Sequence, residues 1–516
     1  MKKYFKTNLG KIILILLFTF LSVGMISIIP LTTKYIIDSY QDLNVTKILI
    51  LGGIYVLAIV LFLVFEYLKK IGNVSFQKAV CKELKEDLFN QVLSVENSYI
   101  FKNSSAYYQN LLTHDVEVIF QKYYGVVIEM ISSIISFAIY FGVMLFLDWK
   151  LALAIVVVCF LSLLLPKLVG KKLKDLQEIA SMEEEAFLQR LDELVSAKEA
   201  FNGETKNSLF KSFNEKNESL ESSVYVLNKN YCKSDIFTAS SLYVINIVAF
   251  LLGILFIYLK LTTVANFVAI IAFIESIAIP TRDIVFEIIV LKSTKKIRLK
   301  LQETLNMPVK HKEKTDFKTL EVSNLYYRYE DAEDDILKNI SCVFEKGKKY
   351  AVVGKNGSGK TTFIRILSQI YSNYTGTIKL NNLDFSNYDF SSFGYYTSVE
   401  SFLLNGSLKD NITILDSYSL NVENEIPKLG VSHLKDSIID PSCSNVSSGE
   451  KSKISILRAL NTKKELLIFD EIFANVDEES EQLLTQYLLS LDKTIILITH
   501  NLDDETLSKF DGIIQL

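Results

Sequence analysis

The densest chemistry in the 516-residue sequence lies in Gly354-Lys355-Asn356-Gly357-Ser358-Gly359-Lys360-Thr361. Its order satisfies G-x-x-x-x-G-K-[ST], the spacing of a loop that wraps nucleotide phosphates. Glycines at the bends let backbone N–H groups face phosphate oxygens that side chains would block. Lys360 adds a full positive charge and the start of a helix a partial one. The Thr361 hydroxyl, followed by Thr362, offers a ligand for Mg²⁺. Such a loop requires a strand before it and a helix after it. Lys349-Tyr350-Ala351-Val352-Val353 reads as a buried strand, and Thr362-Phe363-Ile364-Arg365-Ile366-Leu367 opens an apolar helical pattern. The context favours a nucleoside triphosphate site over a chance glycine-rich turn.

The N-terminal three-fifths differs in composition. Nearly uncharged apolar runs cover 12–31, 48–65, 126–147, 151–166, 240–259 and 264–279. The first is long enough to cross a hydrocarbon core of about 30 Å. Six spans place both chain ends on one side of a membrane. Lys2, Lys3, Lys6 and Lys11 precede the first span; Lys69, Lys70, Lys78, Lys82 and Lys85 follow the second; Lys167, Lys171, Lys172 and Lys174 follow the fourth. The opposite loops carry only Lys34, Lys47, Lys150 and Lys260. That asymmetry predicts a multi-pass protein of the cell membrane with cytoplasmic termini. A cleaved signal peptide is disfavoured, because the first apolar core is too long and lacks an A-x-A-like site.

A net charge of −4 argues for no nucleic-acid partner. Cys81, Cys159, Cys232, Cys342 and Cys443 are scattered without C-x-x-C spacing and read as reduced, with no metal site among them. The proline-free segments 72–123 and 168–235 are rich in Lys, Glu and Leu and read as membrane helices prolonged into the cytoplasm. The sixth span continues to 301, with Pro280 as a kink. Pro308 should end it at or before Met307. The organisation expected is a transmembrane domain over 1–306, a linker over 307–318 and a soluble domain over 319–516.

Further motifs follow in a fixed order. Val446-Ser447-Ser448-Gly449-Glu450 precedes a helical run containing Arg458 and Ala459. Leu466-Leu467-Ile468-Phe469-Asp470-Glu471 is an apolar strand ending in two carboxylates, and Ala474-Asn475-Val476-Asp477 comes next. A last strand, 494–498, leads to Thr499-His500. Together these resemble an ABC transporter half of the exporter type, a six-span α-helical transmembrane domain followed by an α/β P-loop NTPase domain. The resemblance implies ATP and Mg²⁺, with Thr361 and Asp470 toward the metal. Glu471 would orient or deprotonate the attacking water, and His500 would contact the γ-phosphate and that water. Ser447 and Gly449 would open a helix facing the γ-phosphate held by a second half, with Asp477 also at the nucleotide. Tyr329 matches the aromatic that stacks on adenine, with Tyr326 and Tyr327 as close competitors.

The resemblance extends into the membrane half. Leu111-Leu112-Thr113-His114-Asp115-Val116 and Leu191-Asp192-Glu193-Leu194-Val195-Ser196-Ala197-Lys198 look like the patterns near two cytoplasmic coupling elements, though solvated helical faces would read alike. Four departures stand out. The family's loop glutamine falls on Val399, with Glu400 beside it. The signature reads Ser-Ser-Gly-Glu where the family favours Ser-Gly-Gly-Gln. The glycine–glutamate stretch expected before it is replaced by Asp440-Pro441-Ser442-Cys443. The chain ends at Leu516, soon after the histidine. Lys360, Asp470, Glu471 and His500 all remain, so an active ATPase is expected.

The function implied is ATP-driven export by a homodimer or heterodimer of halves, moving a peptide, lipid or amphiphilic compound. The alternatives are an importer on the same fold and the regulatory half of a heterodimer. No fused peptidase domain is evident. Glu275 in the sixth span is costly in lipid unless partnered or facing water. It reads either as a structural contact to Arg282 or Asn246, or as part of the substrate path.

Overall fold

The polar segments 72–123 and 168–235 carry no proline, so helices run on past the lengths a bilayer needs. The computed structural model describes residues 2–40, 44–162, 167–307, 313–329, 332–399, 401–440, 445–474, 476–498 and 504–516. The chain divides into two compact units, Met1–Gln91 with Tyr108–Asn306, and Val92–Tyr107 with Met307–Leu516.

The first unit is helical. Leu9–Asp38, Val45–Ser94, Ser105–Leu147 and Val264–Ser293 are each long and apolar enough to cross a membrane. Trp149–Phe160 and Tyr243–Tyr258 are shorter apolar helical stretches. The expected span 151–166 extends beyond the described residues. Val45–Ser94 has 50 residues, about 75 Å of helix at 1.5 Å per residue. The core gathers Met144, Leu151, Ile155, Ile245, Phe267, Ile270, Phe273 and Ile277.

Two features depart from the regular helices expected. Leu111–Asp115 and Phe120–Tyr124 are π-helical turns, where the ladder takes in an extra residue. The first coincides with the expected coupling pattern at 111–116, and its buried Asp115 pairs with Lys300 at 2.6 Å. In the last span the helix is interrupted at Phe273, between Val264–Ala272 and Ile274–Ser293, while Pro280 lies inside the second piece. The final helix, Lys295–Leu305, is capped at Asn306, close to where Pro308 predicts its end.

The second unit is built on two larger sheets. A four-stranded antiparallel sheet has the order Leu337–Glu345, Thr319–Tyr327, Thr375–Leu380, Leu383–Asp384. A five-stranded parallel sheet has the order Gly512–Gln515, Lys349–Val353, Thr494–Ile498, Leu466–Asp470, Gly394–Ser398. Leu466–Asp470 and Thr494–Ile498 are buried at every position, as central strands covered on both faces must be. Ile498 and Ser398 both pair with Asp470, so these strands end level with one another.

Candidate active site

A parallel sheet presents its ligand site at the carboxyl ends of its strands. Here those ends lead into the glycine loop, the Asp470–Glu471 pair and the segment at Val399. Gly357 (φ 83°) and Gly359 (φ 96°) take the left-handed conformation that residues with a Cβ avoid. At Gly359 a Cβ would also meet Leu337 Cδ2 at 2.7 Å. The loop runs into the helix Lys360–Leu367. The Lys360 ammonium folds back beneath it, donating to the carbonyls of Gly354 (2.9 Å) and Lys355 (3.1 Å). Asn356, Gly357, Gly359, Lys360, Thr361, Thr362, Ile336 and Glu471 line a cavity of about 440 Å³.

Asp470 closes its strand and is 3% exposed. Thr361 Oγ1 donates to its Oδ1 at 3.3 Å and the Tyr396 hydroxyl to its Oδ2 at 3.2 Å. Burial raises the Asp470 carboxyl above the ordinary carboxylate range and neighbouring Glu471 adds to the shift, while the Tyr396 and Thr361 bonds oppose it. Glu471 has φ 52°, a left-handed conformation that costs a non-glycine residue on the order of 1–3 kcal/mol and is concentrated at functional sites. Its N–H donates to the Ile498 carbonyl at 3.2 Å, which anchors the turn.

The residues fit a bound phosphate chain and a divalent cation. Ser358 Oγ is buried without a hydrogen-bond partner among the described residues; a phosphate oxygen would satisfy it. Thr361 and Asp470 offer hard oxygen ligands in contact with each other, the donor type that suits Mg²⁺.

Other expected residues are placed as follows. Tyr329 shares a 2.7 Å hydrogen bond between its hydroxyl and Thr362 Oγ1, and stands edge-on to Tyr327 and Tyr371. Tyr327 is buried within its strand and Tyr326 is partly exposed. Ser447 caps the helix Ser448–Asn461 in a reciprocal capping box with Glu450, placing Gly449 in its first turn. Asp477 caps Glu478–Ser490, accepting from the Ser480 N–H at 2.9 Å. None of Tyr329, Ser447, Gly449 and Asp477 is among the cavity-lining residues just named. His500 and Glu400 lie outside the described residues.

In the first unit Glu275 is exposed. Arg282, one of the alternative partners read for Glu275, reaches the adjacent Asp283 at 3.0 Å. Sequence reading missed Glu287, which is buried and accepts from Ser133 Oγ at 3.2 Å. It also missed Ile336, Arg365, Tyr371 and Tyr396, whose types give no signal because aliphatic and aromatic residues read as core and a helical arginine reads as a solvated cation.

A helical membrane unit and a phosphate-loop unit with paired carboxylates define an ATP-driven membrane transporter. The family profile described as the ABC transporter transmembrane region matches residues 12–281, and the one described as ABC transporter matches 337–474. The chain belongs to the ABC transporter family, whose ATPase domain couples ATP hydrolysis to transport. It is 25% identical to the ABC transporter ATP-binding protein exp8 of Streptococcus pneumoniae over 92% of this chain and 85% of that one. It is 24% identical to the heterocyst differentiation ATP-binding protein HepA of a Nostoc species over 88% of this chain and 77% of that one. Identity reaches 32% with the alpha-hemolysin translocation ATP-binding protein HlyB of Escherichia coli, over 39% of this chain and 31% of that one.

Proposed function

We propose that the chain is one half of an exporter in which two ATP sites form between its nucleotide domain and that of a second half, a copy of itself or a relative. The observation that carries this reading is the convergence of Lys360, Thr361 and Glu471 on one cavity, with Asp470 bonded to Thr361. Loop N–H groups from 356 to 361 and the Lys360 ammonium would hold the β- and γ-phosphates. Thr361 and Asp470 would hold Mg²⁺, which supplies charge neutralisation on the phosphate oxygens. Glu471 would accept the proton of the attacking water, with His500 contacting the γ-phosphate and that water. Tyr329 would stack on adenine. The second half would contribute Ser447 and Gly449 at a helix N-terminus, where N–H groups and the helix dipole favour an anion, together with Asp477.

HlyB is named for alpha-hemolysin translocation, and a Lactococcus lactis relative, 29% identical over 36% of this chain and 27% of that one, for lactococcin transport and processing. Both matches cover about a third of each chain, and their names favour a peptide cargo ahead of a lipid or small amphiphile. The membrane unit would cross the bilayer six times with the ATP-binding unit in the cytoplasm, as the lysine asymmetry indicates. A regulatory half of a heterodimer is the second reading, favoured by apolar Val399 at the site. Reconstituting the chain alone in vesicles and measuring ATPase and uptake of labelled peptide tests both. Peptide accumulation inside inside-out vesicles supports the exporter. ATPase that appears only with a second chain supports the heterodimer.

A further inference from the structure

The segment that leaves the sheet at Ser398 reaches the Asp470 carboxylate by an unexpected side chain. Ser398 pairs with Asp470, and the Val399 N–H donates to the Asp470 carbonyl at 3.2 Å. The backbone therefore arrives at the site, yet the side chain at 399 has no polar atom. Three residues earlier, the Tyr396 hydroxyl donates to Asp470 Oδ2 at 3.2 Å, leaving Oδ1 to Thr361. Tyr396 shares a strand face with Ser398, the residue opposite Asp470, because side chains two apart point the same way.

Tyr396 is itself braced. Arg365, on the helix that follows the phosphate loop, lies beside Tyr396. The same guanidinium donates to the Tyr371 hydroxyl at 3.1 Å. The Tyr371 ring stacks on Tyr327 at 5.4 Å and stands edge-on to Tyr329 at 5.9 Å. One connected set of contacts thus runs from the aromatic wall beside Thr362 to the buried carboxylate.

We propose that Tyr396 is a positioning residue of the ATPase: its hydroxyl fixes the Asp470 carboxylate toward Thr361 for Mg²⁺, a polar contact the Val399 side chain cannot make. The proposal rests on the nucleotide-site reading above. Groups that orient a metal-binding carboxylate from outside typically change metal affinity by about 10- to 100-fold when removed.

The test uses the full-length protein in detergent, with a fluorescent ATP analogue and Mn²⁺ as the metal probe. Tyr396→Phe removes one oxygen and keeps the ring. Its half-saturating Mn²⁺ for enhanced nucleotide binding should rise about 10-fold, while analogue affinity in EDTA stays within about 2-fold of the unmodified protein. In an Asp470→Asn background the same substitution should add no further shift. An unchanged Mn²⁺ requirement overturns the proposal. So does an equal loss of affinity in EDTA, which would mark a general packing role, or an additive loss in the Asp470→Asn background. If the unmodified protein binds the analogue without any metal dependence, the assignment of Thr361 and Asp470 fails and the proposal falls with it.

Discussion

Thr361 Oγ1 and Asp470 Oδ1 lie 3.3 Å apart although 109 residues separate them in the chain. The hydroxyl sits at the start of a helix and the carboxylate at the end of a strand. The adjacent Glu471 is turned toward the same cavity by a left-handed backbone. In the proposed site the metal ligands and the general base would thereby stand side by side.

The first prediction concerns that base. Glu471→Gln keeps the shape and the turn but removes the charge that accepts a proton. ATP binding should be retained and hydrolysis should fall about 10²–10⁴-fold, the usual value of general-base assistance. Equilibrium ATP binding and phosphate release on the same preparation check this; near-normal turnover would overturn the assignment.

Lys360→Ala acts on binding instead. Hydrogen bonds to a charged group contribute about 1.5–3 kcal/mol, so ATP affinity should fall roughly 10- to 100-fold. The carbonyls of Gly354 and Lys355 also lose their donor. Unchanged affinity in a calorimetric titration would count against the phosphate-loop reading.

Two variants at the loop decide which residue serves as its polar group. If Val399 occupies the glutamine position, Val399→Gln changes the ATPase rate, upward because it adds an oxygen beside Asp470, while Glu400→Ala has little effect. If Glu400 supplies the ligand, the order reverses. Steady-state ATPase on both proteins distinguishes the registers.

Glu450 occupies the place where the family favours glutamine. Its Oε2 accepts from the Ser447 N–H and hydroxyl, each at 2.8 Å, and its Oε1 pairs with His433 at 2.6 Å. Desolvation pushes this carboxyl up, but these bonds outweigh it and hold it below the ordinary range, so it is charged at neutral pH. If that helix faces the γ-phosphate held by a second half, as proposed, an anion one turn into it is repulsive, by about 1 kcal/mol at 4 Å in water and more in a drier site. Glu450→Gln keeps the capping box and should lower the KM for ATP by about 5-fold. The two proteins should converge as pH falls through the depressed carboxyl, where Glu450 becomes neutral. The stability that its bonds contribute is likewise present above the unfolded-state value and lost below the folded one. Equal KM values at pH 7 would rule the repulsion out.

Glu275 is exposed on the first unit and Arg282 is engaged by Asp283. If Glu275 lies on the path of a cationic or amphiphilic cargo, Glu275→Gln should reduce cargo-stimulated ATPase while leaving basal ATPase and expression intact. Unchanged stimulation, or loss of folded protein, would assign it a structural role.

The legible parts of this protein are those in which neighbours along the chain determine the chemistry. The glycine loop, the strand Leu466–Asp470 with Glu471 after it, and the helix start at Ser447 are all set by spacing within ten residues or so. Their elements lie where those patterns predict. The membrane class was likewise readable, because apolar length is a local property. Tertiary structure decided what local pattern cannot carry. Tyr396 reads as an ordinary strand aromatic until strand order sets its hydroxyl against Asp470, and Arg365 as a helix-surface cation until that helix packs beside Tyr371 and Tyr396. The break at Phe273 and the π turns at Leu111–Asp115 and Phe120–Tyr124 have no fixed residue signature, and the Asp115–Lys300 pair joins distant helices. The physical reason is one of range. Backbone preference and periodicity act over a few residues, whereas the partners of a buried polar group are chosen by how apolar faces far apart in sequence pack together.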